Sequence, residues 1–202
     1  MKHRIVPALA LALLIPMVAT AADPAPAPAV SNYATIEIGE LIAKVAKRTG
    51  KQFIVDPRVR AEVPLIGLDA DRVDYPKLLA ILNINLFATY EAGGLIRVVP
   101  DANARQLPIP VTSEVPAKAL DDELVTVMLT PKNMCTSQAV PVLRPLMPQA
   151  AHMAAYPLSN TLILSDRAAN VRRIVEMVER LDKAAPPGQK CPESYPAKPE
   201  SK

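Results

Sequence analysis

Side chains that could catalyse a reaction or hold a metal are few in this chain and far apart. Acidic residues cluster between Asp69 and Asp74 and between Asp121 and Glu123. Each cluster precedes a predicted helix or strand, so capping of free backbone N–H groups explains it better than metal binding. Beyond the first three residues His152 is the only histidine. One histidine and two distant cysteines do not have the spacing of zinc ligands. The sequence therefore predicts no catalytic residue, no metal site and no cofactor.

Two cysteines, Cys135 and Cys191, are the only thiols in the sequence. In an oxidising compartment two cysteines can form a disulfide. Closing a loop of this length stabilises a fold by about 4 kcal/mol in the chain-entropy model. The alternative is two independent thiols, one of them in a mobile tail. The residues alone leave both interpretations open.

Residues 1–21 have the pattern of a cleaved secretory signal peptide. Lys2 and Arg4 precede an apolar run from Ile5 to Val18. Ala19-Thr20-Ala21 then supplies the small residues that signal peptidase accepts. The run is shorter than the ~20 residues of a membrane helix, and no later stretch is long enough. Cleavage removes two of 23 basic residues against 20 acidic ones, lowering the formal charge from +3 to about +1. We expect a periplasmic protein with no transmembrane segment.

Proline-rich segments divide the rest of the chain into two patterned blocks. A Pro/Ala spacer covers 22–32, a linker with no usable periodicity covers 106–121, and a Pro-rich, disordered tail is expected at 184–202. Between them lie a first block, 33–105, and a second block, 122–183. We expect an α+β fold with two small α/β modules in tandem.

The first block predicts the order strand, helix, strand, strand, helix, strand, strand, with a mixed sheet. Apolar residues alternate over 34–38, as in a half-buried strand. Gly50 is expected to end the first helix. The second helix is predicted over Tyr75 to Leu86, with Leu86 facing the core. Gly93-Gly94 predicts a tight hairpin, because both turn positions can take positive φ.

The second block predicts the order strand, helix, strand, strand, helix. Thr136 is expected to cap a helix that reaches Met147, and the prolines inside it, Pro141 and Pro145, predict a kink or irregular turns. Asp166 is expected to cap the last helix. Its apolar stripe consists of Val171, Ile174, Val175, Val178 and Leu181.

Two passages resemble the secretin family, the outer-membrane channels of type II secretion. They are Leu41 to Arg60 (LIAKVAKRTGKQFIVDPRVR) with Gly94 to Pro100 (GLIRVVP), and Asp122 to Asp182. The resemblance is to the two N-terminal periplasmic domains. It implies that the first block docks an inner-membrane component, and that the second is a KH-like domain that packs side by side in a ring. A secretin continues into a β-barrel whereas this chain stops at Lys202, so we expect docking modules without the pore.

The KH-like order also raises the question of RNA binding. A KH domain holds the RNA backbone with a G-x-x-G loop, and the second block contains no glycine. Its basic residues, among them Arg167, are interspersed with acidic ones, as on a solvated helix. We therefore expect no nucleic acid partner. The predicted partners are a secretin ring or an inner-membrane secretion protein. The chain itself is expected to form a ring or a weak homo-oligomer. The alternative function is a periplasmic small-ligand carrier or an enzyme.

The first predicted strand is the candidate docking site. A flexible spacer precedes it, so we expect an edge strand whose unpaired N–H and C=O groups recruit a partner strand. Ile36 and Ile38 are expected to face the core. The residues predicted to bind the partner are Tyr33, Thr35 and Glu37. The alternative is that the strand is central or shielded and binds nothing.

Overall fold

The computed structural model describes residues 34–192, so the predicted signal peptide, the spacer, Tyr33 and residues 193–202 lie outside the described part. The first module has the predicted order of helices and strands. Its elements are β1 (Thr35–Glu37), α1 (Ile38–Thr49), β2 (Phe53–Val55), β3 (Glu62–Pro64), α2 (Tyr75–Ile84), β4 (Phe87–Ala92) and β5 (Leu95–Pro100).

Two sheets and two helices share the core of the first module. β1 pairs with β3 in an antiparallel two-stranded sheet, whereas the other sheet has the order β2-β5-β4, with β2 parallel and β4 antiparallel to β5. The second sheet is therefore mixed, as predicted. The most deeply buried core side chains are Ile38, Leu41, Val45, Val73, Leu78, Leu82 and Val98.

Helix α1 begins and ends at residues whose chemistry suits those positions. The Glu37 carboxylate accepts a hydrogen bond from the Glu40 N–H (3.0 Å), which caps the helix. Gly50 ends it with φ of 70° and donates its N–H to the Ala46 carbonyl, which confirms the predicted stop. The prediction that the first strand extends through Ile38 was wrong, because the cap starts the helix there; Ile38 is nevertheless fully buried.

Helix α2 ends earlier than the sequence predicted. Its cap, Asp74, accepts from the Lys77 N–H, but the helix stops at Ile84. Leu86 takes a φ of 61° and is 68 % exposed, so the prediction that it faces the core was wrong. The chain reverses at Leu86 to enter β4, which turns this side chain outward. The Gly93-Gly94 hairpin is confirmed, with both residues at positive φ.

The second module contains one strand more than predicted. Its elements are β6 (Val111–Thr112), β7 (Leu124–Leu129), α3 (Thr136–Leu143), β8 (His152–Tyr156), β9 (Thr161–Arg167) and α4 (Ala168–Ala184), and the sheet order is β6-β7-β9-β8. β6 comes from the predicted linker and pairs in parallel with β7. From β7 onward the order is the predicted one, and the α+β class is confirmed; the KH-like assignment stays a prediction.

The helices of the second module show where the cap predictions failed. Thr136 is the first residue of α3 and not its cap, because Cys135 takes the cap position. The α-helical part of α3 ends at Leu143, before a 3-10 turn that contains Pro145, as the prolines predicted. α4 begins at Ala168, so Asp166 is not its cap, because β9 stays paired with β7 as far as Arg167. Val171, Ile174 and Val178 form the buried stripe. Leu181 follows the last of these residues, is 43 % exposed and does not belong to the buried stripe.

Candidate docking edge

The first predicted strand lies at the edge of a two-stranded sheet. The register pairs Thr35 with Pro64 and Glu37 with Glu62. On either side of them, Leu65 N–H donates to the Ala34 carbonyl (3.2 Å) and Ile38 N–H donates to the Ala61 carbonyl (2.9 Å). Because hydrogen-bonded pairs alternate along an antiparallel ladder, the backbone groups of Thr35 and the N–H of Glu37 point away from β3.

The two outer edges of this sheet differ in what they offer a partner. On β1, Thr35 presents an N–H and a carbonyl and Glu37 presents an N–H, while the Glu37 carbonyl accepts the first bond of α1. On β3, the matching position is Pro64, which has no N–H. No third described strand joins this sheet. Of its two edges, β1 is therefore the better acceptor for an added strand.

The side chains along this edge are exposed and acidic. Thr35 and Glu37 are exposed, and Ile36 between them is half-buried and packs against the core. Glu37 lies opposite Glu62, and Glu40 is in the first turn of α1. Like charges placed opposite each other repel, so this surface favours a basic partner side chain. Tyr33, the third predicted residue, lies outside the described residues.

The two cysteines belong to the second module, not to this edge. Cys135 and Cys191 form a disulfide with their Cα atoms 5.2 Å apart. Cys135 is buried at the start of α3, where Asn160 Oδ1 accepts from the Thr136 N–H (2.9 Å). The sequence left open a disulfide or two independent thiols, and the structure contains the disulfide. The bond holds the segment after α4 against the beginning of α3.

Sequence reasoning missed a buried arginine that joins the modules. Arg167 is only 8 % exposed; Nη2 donates to the Phe87 carbonyl (2.9 Å) and Nε donates to Asn83 Oδ1 (3.2 Å). Asp101 lies 3.9 Å from the guanidinium, and burial lowers the pKa of Arg167 while that carboxylate opposes the shift. The prediction of a solvated helix residue was wrong, because Arg167 ends β9. No sequence motif marks this role.

Apolar contacts and a second polar bond accompany Arg167 between the modules. Asn83 Nδ2 donates to Asp122 Oδ1 (2.6 Å), and a small cluster joins Ala88, Ala104 and Leu124. These residues all fall within one compact unit of the chain.

None of the helices within residues 34–192 combines the length and apolar character of a membrane span.

Comparison with protein families agrees with this two-module architecture. Residues 31–98 match the N0 domain of GspD-like proteins, and residues 126–187 match the short domain of bacterial type II and type III secretion systems. Together the two matches cover more than half of the chain. The two modules are N-terminal domains of the secretin family.

Secretins from several bacteria are similar to this chain over most of its length. Secretin XcpQ of Pseudomonas aeruginosa is 33% identical over 154 residues, covering 75% of this chain and 22% of XcpQ. Secretin PulD of Klebsiella pneumoniae is 31% identical over 159 residues, covering 76% of this chain and 24% of PulD. The chain thus spans about a quarter of the length of these secretins, and corresponds to their N-terminal domains.

A solved secretin complex has the same fold over the shared domains. The Klebsiella pneumoniae type II secretion outer membrane complex contains PulD, PulS and the PulC HR domain. It matches 76% of this chain and 27% of the solved chain, with a TM-score of 0.65 and 29% sequence identity. This match extends through both modules, so the secretin relationship applies to the pair and not to one module alone.

Proposed function

We propose that this chain is a non-enzymatic periplasmic interaction module of a type II secretion system, and that the outer edge of β1 docks an inner-membrane component. The observation that carries the proposal is the set of backbone groups at Thr35 and Glu37 that point away from β3. A strand added there gains main-chain hydrogen bonds, and the side chains on either side set its specificity.

The similarity to the solved secretin complex supports an HR-type domain as the partner. That complex holds PulD together with the PulC HR domain, and PulD is 31% identical to this chain over the matched region. The corresponding partner of this chain is an HR-type domain of its own secretion system. The acidic surface of Glu37, Glu40 and Glu62 favours a partner strand that carries lysine or arginine.

Replacing Thr35 by proline tests the edge directly. Thr35→Pro removes one outward N–H, while the ladder with β3 is kept by the bonds at Ala34 and Ile38. We expect the dissociation constant for the HR-type domain to rise tenfold or more, equivalent to about 1.4 kcal/mol. Calorimetric titration measures the constant, and circular dichroism verifies the fold.

Thr35→Val is the matched control, because it removes the hydroxyl and keeps the N–H. We expect it to bind within about threefold of the unchanged protein, which is under 1 kcal/mol. Equal binding by a folded Thr35→Pro protein would place the docking site elsewhere. Equal weakening by both variants would assign the effect to the side chain rather than to strand pairing.

A further inference from the structure

Strand β4 is the outer strand of the mixed sheet, and its free edge can be derived from the register. Ile96 N–H donates to the Gln52 carbonyl (2.9 Å), and the Val98 carbonyl accepts from Asp56 N–H (2.9 Å), so both residues bond toward β2. Their partners across the hairpin are Glu91 and Thr89. Because an antiparallel ladder alternates, the N–H and C=O groups of these two residues point away from β5.

The chain itself uses only one end of this edge. Phe87 continues the same alternation, and its outward carbonyl accepts the hydrogen bond from Arg167 Nη2. For Thr89 and Glu91, no group within residues 34–192 bonds to the outward backbone N–H or C=O. Two donors and two acceptors therefore remain at the spacing of every second residue, which is the pattern that an added strand satisfies. Glu91 is exposed, whereas Thr89 is only 6 % exposed and lines the groove beside this edge.

A groove of about 720 Å³ lies beside these groups. Its far wall is the segment Pro108–Pro110, which cannot pair with β4 itself, because prolines have no N–H and the Ile109 N–H donates to the Leu107 carbonyl (2.8 Å). Ile109, Leu120 and Leu124 supply apolar surface. The segment thus borders the edge of β4 and leaves its hydrogen-bonding groups unused.

We propose that this β4 groove binds one extended segment of a partner protein, which pairs with Thr89 and Glu91 as an additional strand. The occupant is a peptide because the unused groups are alternating main-chain donors and acceptors, which a strand matches. Charges of both signs line the groove, Lys51 and Lys118 beside Glu91 and Glu123, so the segment carries no large net charge. It has an apolar side chain toward Leu124 and no proline at its pairing positions.

This second docking surface is independent of the one at β1. It belongs to the other sheet of the first module, and its far wall comes from the segment that joins the modules. A variant at Thr35 therefore leaves the β4 groove unchanged. The two proposals can fail separately.

Peptide selection supplies a probe for the groove. Displayed random peptides of about ten residues, the upper end of ordinary strand lengths, are selected on the purified protein, and the best binder is synthesised. Glu91→Pro removes an outward N–H from an exposed edge position and leaves the ladder bonds of its neighbours. We expect its dissociation constant to rise tenfold or more, with Glu91→Ala and Thr35→Pro within threefold of the unchanged protein.

Amide hydrogen exchange by NMR gives a readout that does not need a variant. Saturating peptide should slow exchange of the Thr89 and Glu91 amides, which is decisive if Glu91→Pro fails to fold. Absence of any binder, binding unaffected by Glu91→Pro, or loss of binding in Thr35→Pro instead would overturn the proposal. So would a concentration-dependent dimer that Glu91→Pro abolishes, because the occupant would then be a second copy.

Discussion

Asp182, at the end of α4, holds the loop that leads from β7 to α3. Its carboxylate accepts backbone N–H bonds from Lys132 (3.1 Å), Asn133 (2.6 Å) and Met134 (2.9 Å), and Asn133 Nδ2 donates to its carbonyl (3.0 Å). Burial acts to raise the pKa of Asp182, but the three N–H donors outweigh it and lower the pKa. The sequence pattern indicated only a solvated charge at this position.

Asp182→Asn should change how stability depends on pH. The pKa of Asp182 is lower in the folded state than in the unfolded chain, so its stabilisation is complete above the unfolded value near 3.8 and is lost as pH falls through the folded value. We expect the variant to be less stable at neutral pH by about 1 kcal/mol after solvent screening. Thermal melting measured from neutral to acid pH should show the two proteins converging.

Asp56 serves as an internal reference for that measurement. Hydrogen bonds from Arg58 lower the pKa of Asp56 to about 2, so acid removes this stabilisation from both proteins alike. Only the difference between their melting curves reports Asp182. Curves that stay parallel down to acid pH would show that the Asp182 charge contributes nothing.

Helix α4 provides the clearest comparison of buried and marginal positions on one element. Ile174 is fully buried, whereas Val175 next to it is half-buried and packs at the margin of the core. Both belong to the predicted stripe. The structure therefore shows different burial for two residues that the hydrophobic periodicity could not distinguish.

Ile174→Asp should unfold the second module, and Val175→Asp should only weaken it. Losing the isoleucine contacts costs about 2–5 kcal/mol and burying a carboxylate adds more, against a total stability of about 5–15 kcal/mol for a domain. The half-buried carboxylate at 175 can reach water. Thermal melting and circular dichroism check the order, and equal losses would mean that both positions are equally buried.

Elements set by local chemistry were predictable, and those set by distant pairing were not. Gly50 and Gly93-Gly94 adopt positive φ as predicted, because few other residues tolerate it. Asp166 fails as a cap because β9 remains paired with β7, and β6 forms because Val111 meets β7, a contact between distant parts of the chain. Alternation predicted the first strand, and the spacer before it predicted an edge position, yet Glu37 serves both that strand and the cap of α1.

At the scale of the whole molecule, one side chain connects the two modules most directly. Arg167 ends β9 and bonds to the carbonyl at the start of β4, and the Asn83–Asp122 bond lies between the same modules. These hydrogen bonds hold the two modules against each other, which the composition of the linker did not indicate.

Arg167→Ala should destabilise the protein by about 3 kcal/mol, because it removes two hydrogen bonds and leaves Asp101 without its buried partner. Arg180→Ala is the control, since the exposed pair of Arg180 with Glu176 contributes about 0.5 kcal/mol or less. Chemical denaturation measures both. Similar losses in the two variants would show that Arg167 does not stabilise the contact between modules.

The Cys135–Cys191 bond changes how the second module responds to tension. A pull on the chain beyond Cys191 passes through the sulfur atoms to Cys135 and on to β7, so residues 136–190 carry none of the load. Helix α3, strands β8 and β9 and helix α4 all lie inside this closed loop. The bond therefore shields most of the second module from stretching.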